Sequence, residues 1–166
     1  GQKTGWFYDH RDNRAQLQRW AKGKTVLDVF SYAGGWGVAT LAAGATSLTC
    51  VDSSELALDA VQRNAKAFAK PVSCFQGEAA DMLKRLAQAG QTFDIVVVDP
   101  PAFIKRRKDH AAGLKAYHQL NQLALKLLAP EGLLVSASCS MSLTMEDLHA
   151  VVASAARNGK RDLQIV

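Results

Sequence analysis

The sequence contains no long apolar run. Across its 166 residues, no stretch approaches the ~20 consecutive apolar residues that a membrane-spanning helix requires. The first residues also lack the apolar core of a secretory signal peptide. We therefore expect a cytoplasmic protein that does not enter the membrane.

Cysteine is scarce as well. The three cysteines, Cys50, Cys74 and Cys139, are an odd number and form no Cys-x-x-Cys pair, which argues against a disulfide framework and against a zinc site. No metal site is predicted. Cys50 and Cys74 fall within or beside predicted strands, where cysteine is usually a small buried side chain. Cys139 is instead predicted to lie in a loop just after a strand.

The composition is not biased toward disorder. Hydrophobic residues make up 48% of the chain and charged residues 21%, as in an ordinary folded protein. We expect residues 1–166 to form one domain, and because the chain stops within a predicted element at residue 166 we expect it to be a fragment of a longer protein. The net charge of +5 is compatible with a polyanionic partner, and four of the basic residues are consecutive, from Lys105 to Lys108.

Short apolar segments alternate with helix-compatible segments along the chain. Strands are predicted at residues 25–30, 47–52, 72–76, 93–99 and 133–137, with another beginning at 163–166; helices are predicted at 38–43, 55–69, 79–89, about 114–128 and 146–156. This order predicts an α/β, Rossmann-like fold, a mostly parallel sheet with helices on both faces. Ligands of such sheets bind beyond the carboxyl ends of the strands.

A glycine cluster, Gly34, Gly35 and Gly37, follows the first predicted strand. Glycines let a ligand approach the backbone closely, but the Gly-x-Gly-x-x-Gly spacing of dinucleotide sites is absent, which disfavours an NAD enzyme. Asp28 at the start of the turn suits a ligand with a cationic amine. Asp52, at the end of the second strand, is placed to accept hydrogen bonds from ribose hydroxyls. A purely steric turn and a helix-capping aspartate are the alternatives.

This turn resembles motif I of class I S-adenosylmethionine-dependent methyltransferases. The resemblance implies that the cofactor is S-adenosylmethionine and that Glu78, after the third strand, lies near its adenine amino group. The cofactor-binding residues expected in this part of the chain are Asp28, Phe30, Ser31, Tyr32, Gly34, Gly35, Asp52, Ser53 and Glu78, together with Asp99 and Pro100 at the end of the fourth strand.

Two further motifs concern the acceptor of the methyl group. Asp99-Pro100-Pro101-Ala102-Phe103 ends the fourth strand, and in this fold such turns accompany methyl transfer to nucleobases; a structural diproline turn is the alternative. Cys139 follows the fifth strand at the same edge of the sheet. Carbon 5 of cytosine becomes nucleophilic enough to accept a methyl group when a thiolate adds at carbon 6, which makes Cys139 the candidate nucleophile. An inert thiol is the alternative.

Together with the N-terminal Gly-Gln-Lys-Thr-Gly motif at residues 1–5, these motifs resemble the 23S rRNA 5-methylcytosine methyltransferase family of the large-subunit methyltransferase I type. The resemblance extends over essentially the whole chain. It implies that the chain is truncated at both ends, without the N-terminal PUA domain, the linking β-rich domain and the C-terminal strand pair of family members. It implies that Gln2, Lys3 and Thr4 lie near the cofactor, that Tyr8 and Arg11 help to close the site, that Cys139 is the nucleophile, and that the partner is RNA, in particular 23S rRNA.

The resemblance is incomplete in one respect. Many RNA 5-methylcytosine enzymes carry a second cysteine after the Asp-Pro-Pro prolines, and Ala102-Phe103 offers none; Asp99, or a water that it positions, is then the candidate base for the carbon 5 proton. A guanine methyltransferase of the same fold and a fragment that only binds cofactor or RNA remain alternatives. The basic run, Lys105, Arg106, Arg107 and Lys108, is predicted either to bind RNA phosphates or to be a solvated loop. The oligomeric state stays open, a homodimer among the candidates.

Overall fold

The computed structural model describes residues 10–166. Their five strands are β1 (Thr25–Val29), β2 (Ser47–Asp52), β3 (Val72–Gln76), β4 (Phe93–Val98) and β5 (Leu128–Ser136), and their six α-helices are α1 (Arg11–Gln18), α2 (Gly37–Ala42), α3 (Glu55–Ala65), α4 (Ala79–Gln88), α5 (His110–Leu127) and α6 (Met145–Asn158). Two short 3₁₀ turns, at Lys66–Phe68 and Arg107–Asp109, follow α3 and precede α5.

The five strands form one parallel sheet in the order β3-β2-β1-β4-β5. The chain runs outward from β1 to β3 and then crosses back to β4, so the direction of winding reverses between β1 and β4. That reversal opens a crevice at the carboxyl ends of β1 and β4, because the connections on its two sides leave toward opposite faces. This crevice is where the fold places a ligand.

Both faces of the sheet are covered. Alternate side chains of β4 point to opposite faces, so Val96 and Val98 belong to one core cluster while Ile95 and Val97 belong to the other. Helices α4, α5 and α6 contribute to the first cluster, and α1, α2 and α3 to the second. Because β4 is almost fully buried on both faces, its sequence is a nearly uninterrupted apolar run.

Most predicted elements are confirmed, with small shifts at their ends. Helix α5 begins four residues before the predicted start near 114. Strand β5 begins at Leu128, five residues before the predicted start at 133, and includes Pro130, Glu131 and Gly132. Its pairing with β4 is irregular between Phe93 and Ile95. There, Glu131 adopts a positive φ of 59°.

Two features at the chain ends differ from the sequence analysis. The prediction of a strand beginning at 163–166 is wrong: these residues have no regular secondary structure, and Leu163, Ile165 and Val166 are exposed. A strand requires a hydrogen-bonded neighbour, and none is paired with this segment within residues 10–166. Conversely, the sequence analysis does not predict helix α1. Leu17 is the one buried residue of this helix, so its sequence has no apolar periodicity. No helix among residues 10–166 is both long and apolar enough to cross a membrane.

Candidate cofactor and catalytic site

The glycine-rich turn has a strained backbone. Phe30 and Tyr32 both adopt positive φ angles, 62° and 48°, which non-glycine residues rarely do and which tend to occur at functional sites. The amides of Phe30 and Ser31 donate to the carbonyl of Val51, at 2.9 and 3.2 Å, and so tie the turn to the end of β2. These hydrogen bonds therefore hold the peptide groups of this turn in one arrangement despite its strain.

Gly37 has a definite steric role in the turn. Its amide donates to Oδ2 of Asp28 at 2.8 Å. A Cβ atom there would lie 2.5 Å from Cδ1 of Leu48 and 3.0 Å from the same carboxylate oxygen. Glycine is thus the residue that allows α2 to begin directly against Asp28.

Asp28 is the most unusual group of the site. Its side chain is completely buried, and its second oxygen, Oδ1, has no hydrogen-bond partner among residues 10–166. Burial, together with the negative charges of Asp99 and Asp52, raises its pKa from the ordinary 3.8 to about 7, despite the opposing hydrogen bond from Gly37. A buried carboxylate in this position favours a cationic ligand, which would restore the ordinary ionised state.

Asp52 lies at the carboxyl end of β2, as predicted. Its Oδ2 accepts from the amide of Tyr32 at 2.8 Å and its Oδ1 from the amide of Ser54 at 2.9 Å. A carboxylate has about four acceptor positions, so each oxygen keeps capacity for a hydroxyl donor. The N-cap of α3 is Ser54, whereas Ser53 is exposed. Glu78, in the short loop between β3 and α4, is exposed as well.

Asp99 lies at the carboxyl end of β4 and makes contacts that the sequence did not predict. The indole Nε1 of Trp36 donates to its Oδ2 at 2.9 Å, and Nε2 of His10 lies 3.8 Å from its Oδ1. The ring centroids of His10 and Trp36 are 5.3 Å apart. Trp36 occurs within the predicted glycine turn, so its position was available in the sequence, but its partner, 63 residues away, was not.

Cys139 follows β5 and reaches the loop that follows β4. The residue is exposed, yet its Sγ lies 3.6 Å from the carbonyl oxygen of Pro100, to which the thiol donates. Partial burial of the sulfur, and then the charge of Asp99, raise the pKa of the thiol; the amides of Cys139 and Ala102 act in the opposite direction. The predicted nucleophile and the predicted base are therefore neighbours across two adjacent loops.

The remaining predicted residues divide into three groups. Gln2, Lys3, Thr4 and Tyr8 lie outside the described residues. Arg11, at the start of α1, lines a cleft of about 440 Å³ with Gly34 and Gly35. The basic run Lys105–Lys108 is exposed beyond the carboxyl end of β4, and within it Nε of Arg106 is 3.1 Å from Oδ2 of Asp109.

Comparisons with known proteins identify relatives of this chain. A family model described as conserved hypothetical protein 95 matches residues 13–164. Ribosomal RNA large subunit methyltransferase I is 39% identical in Tolumonas auensis and 34% identical in Cronobacter sakazakii, each over 169 aligned residues. Both alignments cover 100% of this chain and 43% of the relative. The chain thus spans less than half the length of these curated relatives.

A solved structure is similar to this chain in fold. SMU.776, described as a methyltransferase and complexed with SAH, superposes with a TM-score of 0.81 and 28% identity, covering 94% of this chain and 42% of that one. This match confirms the Rossmann-like class I methyltransferase fold. The predicted resemblance to the large-subunit methyltransferase I type is also confirmed.

Proposed function

We propose a reaction for this chain, which belongs to the family described as conserved hypothetical protein 95. It binds S-adenosylmethionine and methylates carbon 5 of a cytosine in large-subunit ribosomal RNA through Cys139. The observation that carries this proposal is the position of the Cys139 thiol, against Pro100 and beside Asp99, at the edge of the sheet that also holds Asp28. Relatives named as ribosomal RNA large subunit methyltransferase I support RNA as the substrate class.

The residues of the crevice fit the proposed cofactor. Oδ1 of buried Asp28, which has no hydrogen-bond partner in the described part of the chain, is an acceptor for the cationic amino group of the methionine part, and the remaining acceptor capacity of Asp52 suits the ribose hydroxyls. The carboxyl groups of Asp28, Asp52 and Asp99 give the crevice a negative electrostatic potential. Such a potential favours a ligand that carries an ammonium and a sulfonium group. Bound there, the cofactor supplies an electrophilic methyl group on a sulfonium.

Cys139 is proposed to make carbon 5 of the cytosine reactive. Its thiolate adds to carbon 6, an S–C6 bond forms, and the electrons of the C5–C6 double bond make carbon 5 nucleophilic. Carbon 5 then accepts the methyl group, whose bond to the sulfonium sulfur breaks and leaves a neutral thioether. Loss of the carbon 5 proton to Asp99, or to a water that Asp99 holds, restores the double bond as the S–C6 bond breaks and the thiolate returns.

Trp36 and His10 support Asp99 in this proposal. The indole hydrogen bond to Oδ2 fixes the carboxylate in one orientation, and the imidazole of His10 lies 3.8 Å from Oδ1. The exposed basic run Lys105–Lys108 follows the same loop, so we propose that it contacts phosphates on either side of the target nucleotide. Phosphate contacts of this kind position an RNA without reading its sequence.

The test is nucleoside analysis by mass spectrometry of large-subunit rRNA, transcribed in vitro and incubated with protein and S-adenosylmethionine. Wild-type protein should produce 5-methylcytidine, and Cys139→Ala should produce none while keeping its affinity for the cofactor. RNA containing 5-fluorocytidine should form a denaturation-stable adduct with the wild type but not with Cys139→Ala, because the fluorine prevents loss of a proton from carbon 5.

Cys74→Ala is the matched control. Cys74 is a partly buried cysteine on β3 whose sulfur accepts a hydrogen bond from Gln62 at 3.3 Å, so it lies away from the proposed reaction. This variant should retain both activities. Methylguanosine in place of 5-methylcytidine would assign the protein to the guanine reaction, and turnover by Cys139→Ala would refute the covalent mechanism.

A further inference from the structure

We propose that Tyr117 is a positioning residue for Cys139, because its hydroxyl holds the two serines that flank the cysteine. The target of the thiol rests on the function proposed above, but the positioning itself can be tested on the thiol alone. Tyr117 lies on α5 and is fully buried. It belongs to none of the motifs from which the site was predicted.

The hydroxyl group of Tyr117 makes hydrogen bonds to the hydroxyl groups of the two residues that flank Cys139. The phenolic oxygen of Tyr117 lies 2.7 Å from Oγ of Ser138 and 2.8 Å from Oγ of Ser140. A phenol can donate one hydrogen bond and accept another, so it can satisfy both serines at once. The amide of Ser140 also donates to Oγ of Ser138 at 3.1 Å. The backbone is thus held on both sides of the cysteine.

The same group of residues is connected to the loop that follows β4. The amide of Ile104 donates to Oγ of Ser140 at 3.2 Å, and the ring of Phe103 contacts that of Tyr117 with centroids 4.8 Å apart. Tyr117 therefore contacts both loops between which the Cys139 thiol lies. Through these contacts it determines the position of Sγ relative to Pro100 and Asp99.

A solely structural role does not account for this arrangement. A buried tyrosine needs one partner for its hydroxyl, and burying three hydroxyls contributes less stability than packed apolar groups of similar size. Buried polar networks that are fully paired favour one unique geometry. Here the geometry that is fixed is that of the segment carrying the exposed thiol.

The test is Tyr117→Phe, which removes the hydroxyl and keeps the ring against Phe103. Formation of the adduct with 5-fluorocytidine RNA should slow on the order of 10- to 100-fold, as expected for a misplaced reacting group, while affinity for S-adenosylmethionine changes less than about twofold. Alkylation of Cys139 by iodoacetamide, followed by peptide mass spectrometry, should instead become faster. Its pH profile should shift to lower pH, because the sulfur leaves the sheltered position near Asp99.

These opposite effects distinguish positioning from general loosening. Thr25→Val is the matched control, since it removes a partly buried hydroxyl that bonds Asp94 at 3.1 Å near the opposite edge of the sheet; it should change neither the alkylation profile nor adduct formation. If Tyr117→Phe does not fold, Ser138→Ala combined with Ser140→Ala removes the same two hydrogen bonds without altering the buried ring. It also removes the bonds that the two serine hydroxyls accept from the amides of Ile104 and Ser140.

The two proposals fail in different ways. Absence of 5-methylcytidine with wild-type protein overturns the proposed function, and the alkylation profile then still decides whether Tyr117 positions the thiol. An unchanged alkylation profile in both Tyr117→Phe and the double serine variant overturns the positioning role, whatever happens to turnover.

Discussion

Replacing Asp28 by Asn should stabilise the ligand-free protein at neutral and alkaline pH while weakening its binding of S-adenosylmethionine. The folded state raises the pKa of Asp28 from 3.8 to about 7, chiefly by burial. Between these two pH values the folded protein holds a proton that the unfolded chain has lost. The free energy of unfolding must therefore fall as pH rises through this window, and the loss is complete above about pH 7.

The magnitude follows from the same two values. With a pKa of 3.8 in the unfolded chain and about 7 in the folded protein, the free energy of unfolding at pH 8 is lower by about 4 kcal/mol than it is below pH 3.8. For a domain of this size that is on the order of 10 °C in melting temperature. The Asn amide would place an unpaired N–H where Oδ1 now lies, which costs about 1–3 kcal/mol. This cost does not vary with pH, so the pH dependence of the difference between the two proteins isolates the ionisation of Asp28.

The assay is thermal or urea unfolding of both proteins at several values between pH 4 and pH 8, with and without S-adenosylmethionine. Asp28→Asn should gain stability relative to the wild type as pH rises, and the added cofactor should stabilise the wild type far more than the variant. Asp94→Asn serves as the control, because that carboxylate accepts two hydrogen bonds from Thr25 and lies at the other end of the sheet. A stability difference that stays constant over this pH range would refute the reasoning.

Three other substitutions or conditions test further parts of the site. Gly37→Ala should reduce stability by about 1–3 kcal/mol through the clash with Leu48, as measured by urea unfolding, and should weaken cofactor binding; unchanged stability would contradict the packing. At saturating cofactor, single-turnover methylation should rise about tenfold per pH unit from about pH 7.5 to pH 9, since the pKa of Cys139 is raised and the thiolate is the reactive form; a flat profile would contradict this. Neutralising two positions of the Lys105–Lys108 run should weaken RNA binding and lower the slope of log affinity against log salt by about 0.7–1 per lost contact; an unchanged slope would mean that the run is a solvated loop.

The central part of the fold could be predicted from local patterns. The apolar runs that became β1 and β4 are nearly continuous because both faces of each strand are buried, and the glycines after β1 mark the turn. Parallel strands bring their carboxyl ends to one edge, so Asp28, Asp99 and Cys139 could be placed together without knowledge of any contact.

The parts that were missed depend on contacts between distant residues. The hydrogen bonds from Trp36 to Asp99 and from Tyr117 to the serines join residues 63 and at least 21 positions apart, and no local pattern reports such pairs. Helix α1 has one buried residue and so no apolar periodicity. Residues 163–166 have an apolar composition typical of a strand, but composition alone does not supply a neighbouring strand.

If the proposed function is correct, the connection between the loops after β4 and β5 has a consequence for the RNA substrate. The amide of Ile104 bonds Ser140, and the thiol of Cys139 bonds the carbonyl of Pro100, so the reacting groups are assembled before any RNA arrives. An RNA substrate must then make the larger movement, with the target base leaving its stack to reach a fixed thiol. Unstacking and unpairing a base costs a few kcal/mol and least for one that is already single-stranded. On the proposed function, we therefore expect a rigid protein centre of this kind to select for cytosines in loops and other unpaired segments of the RNA.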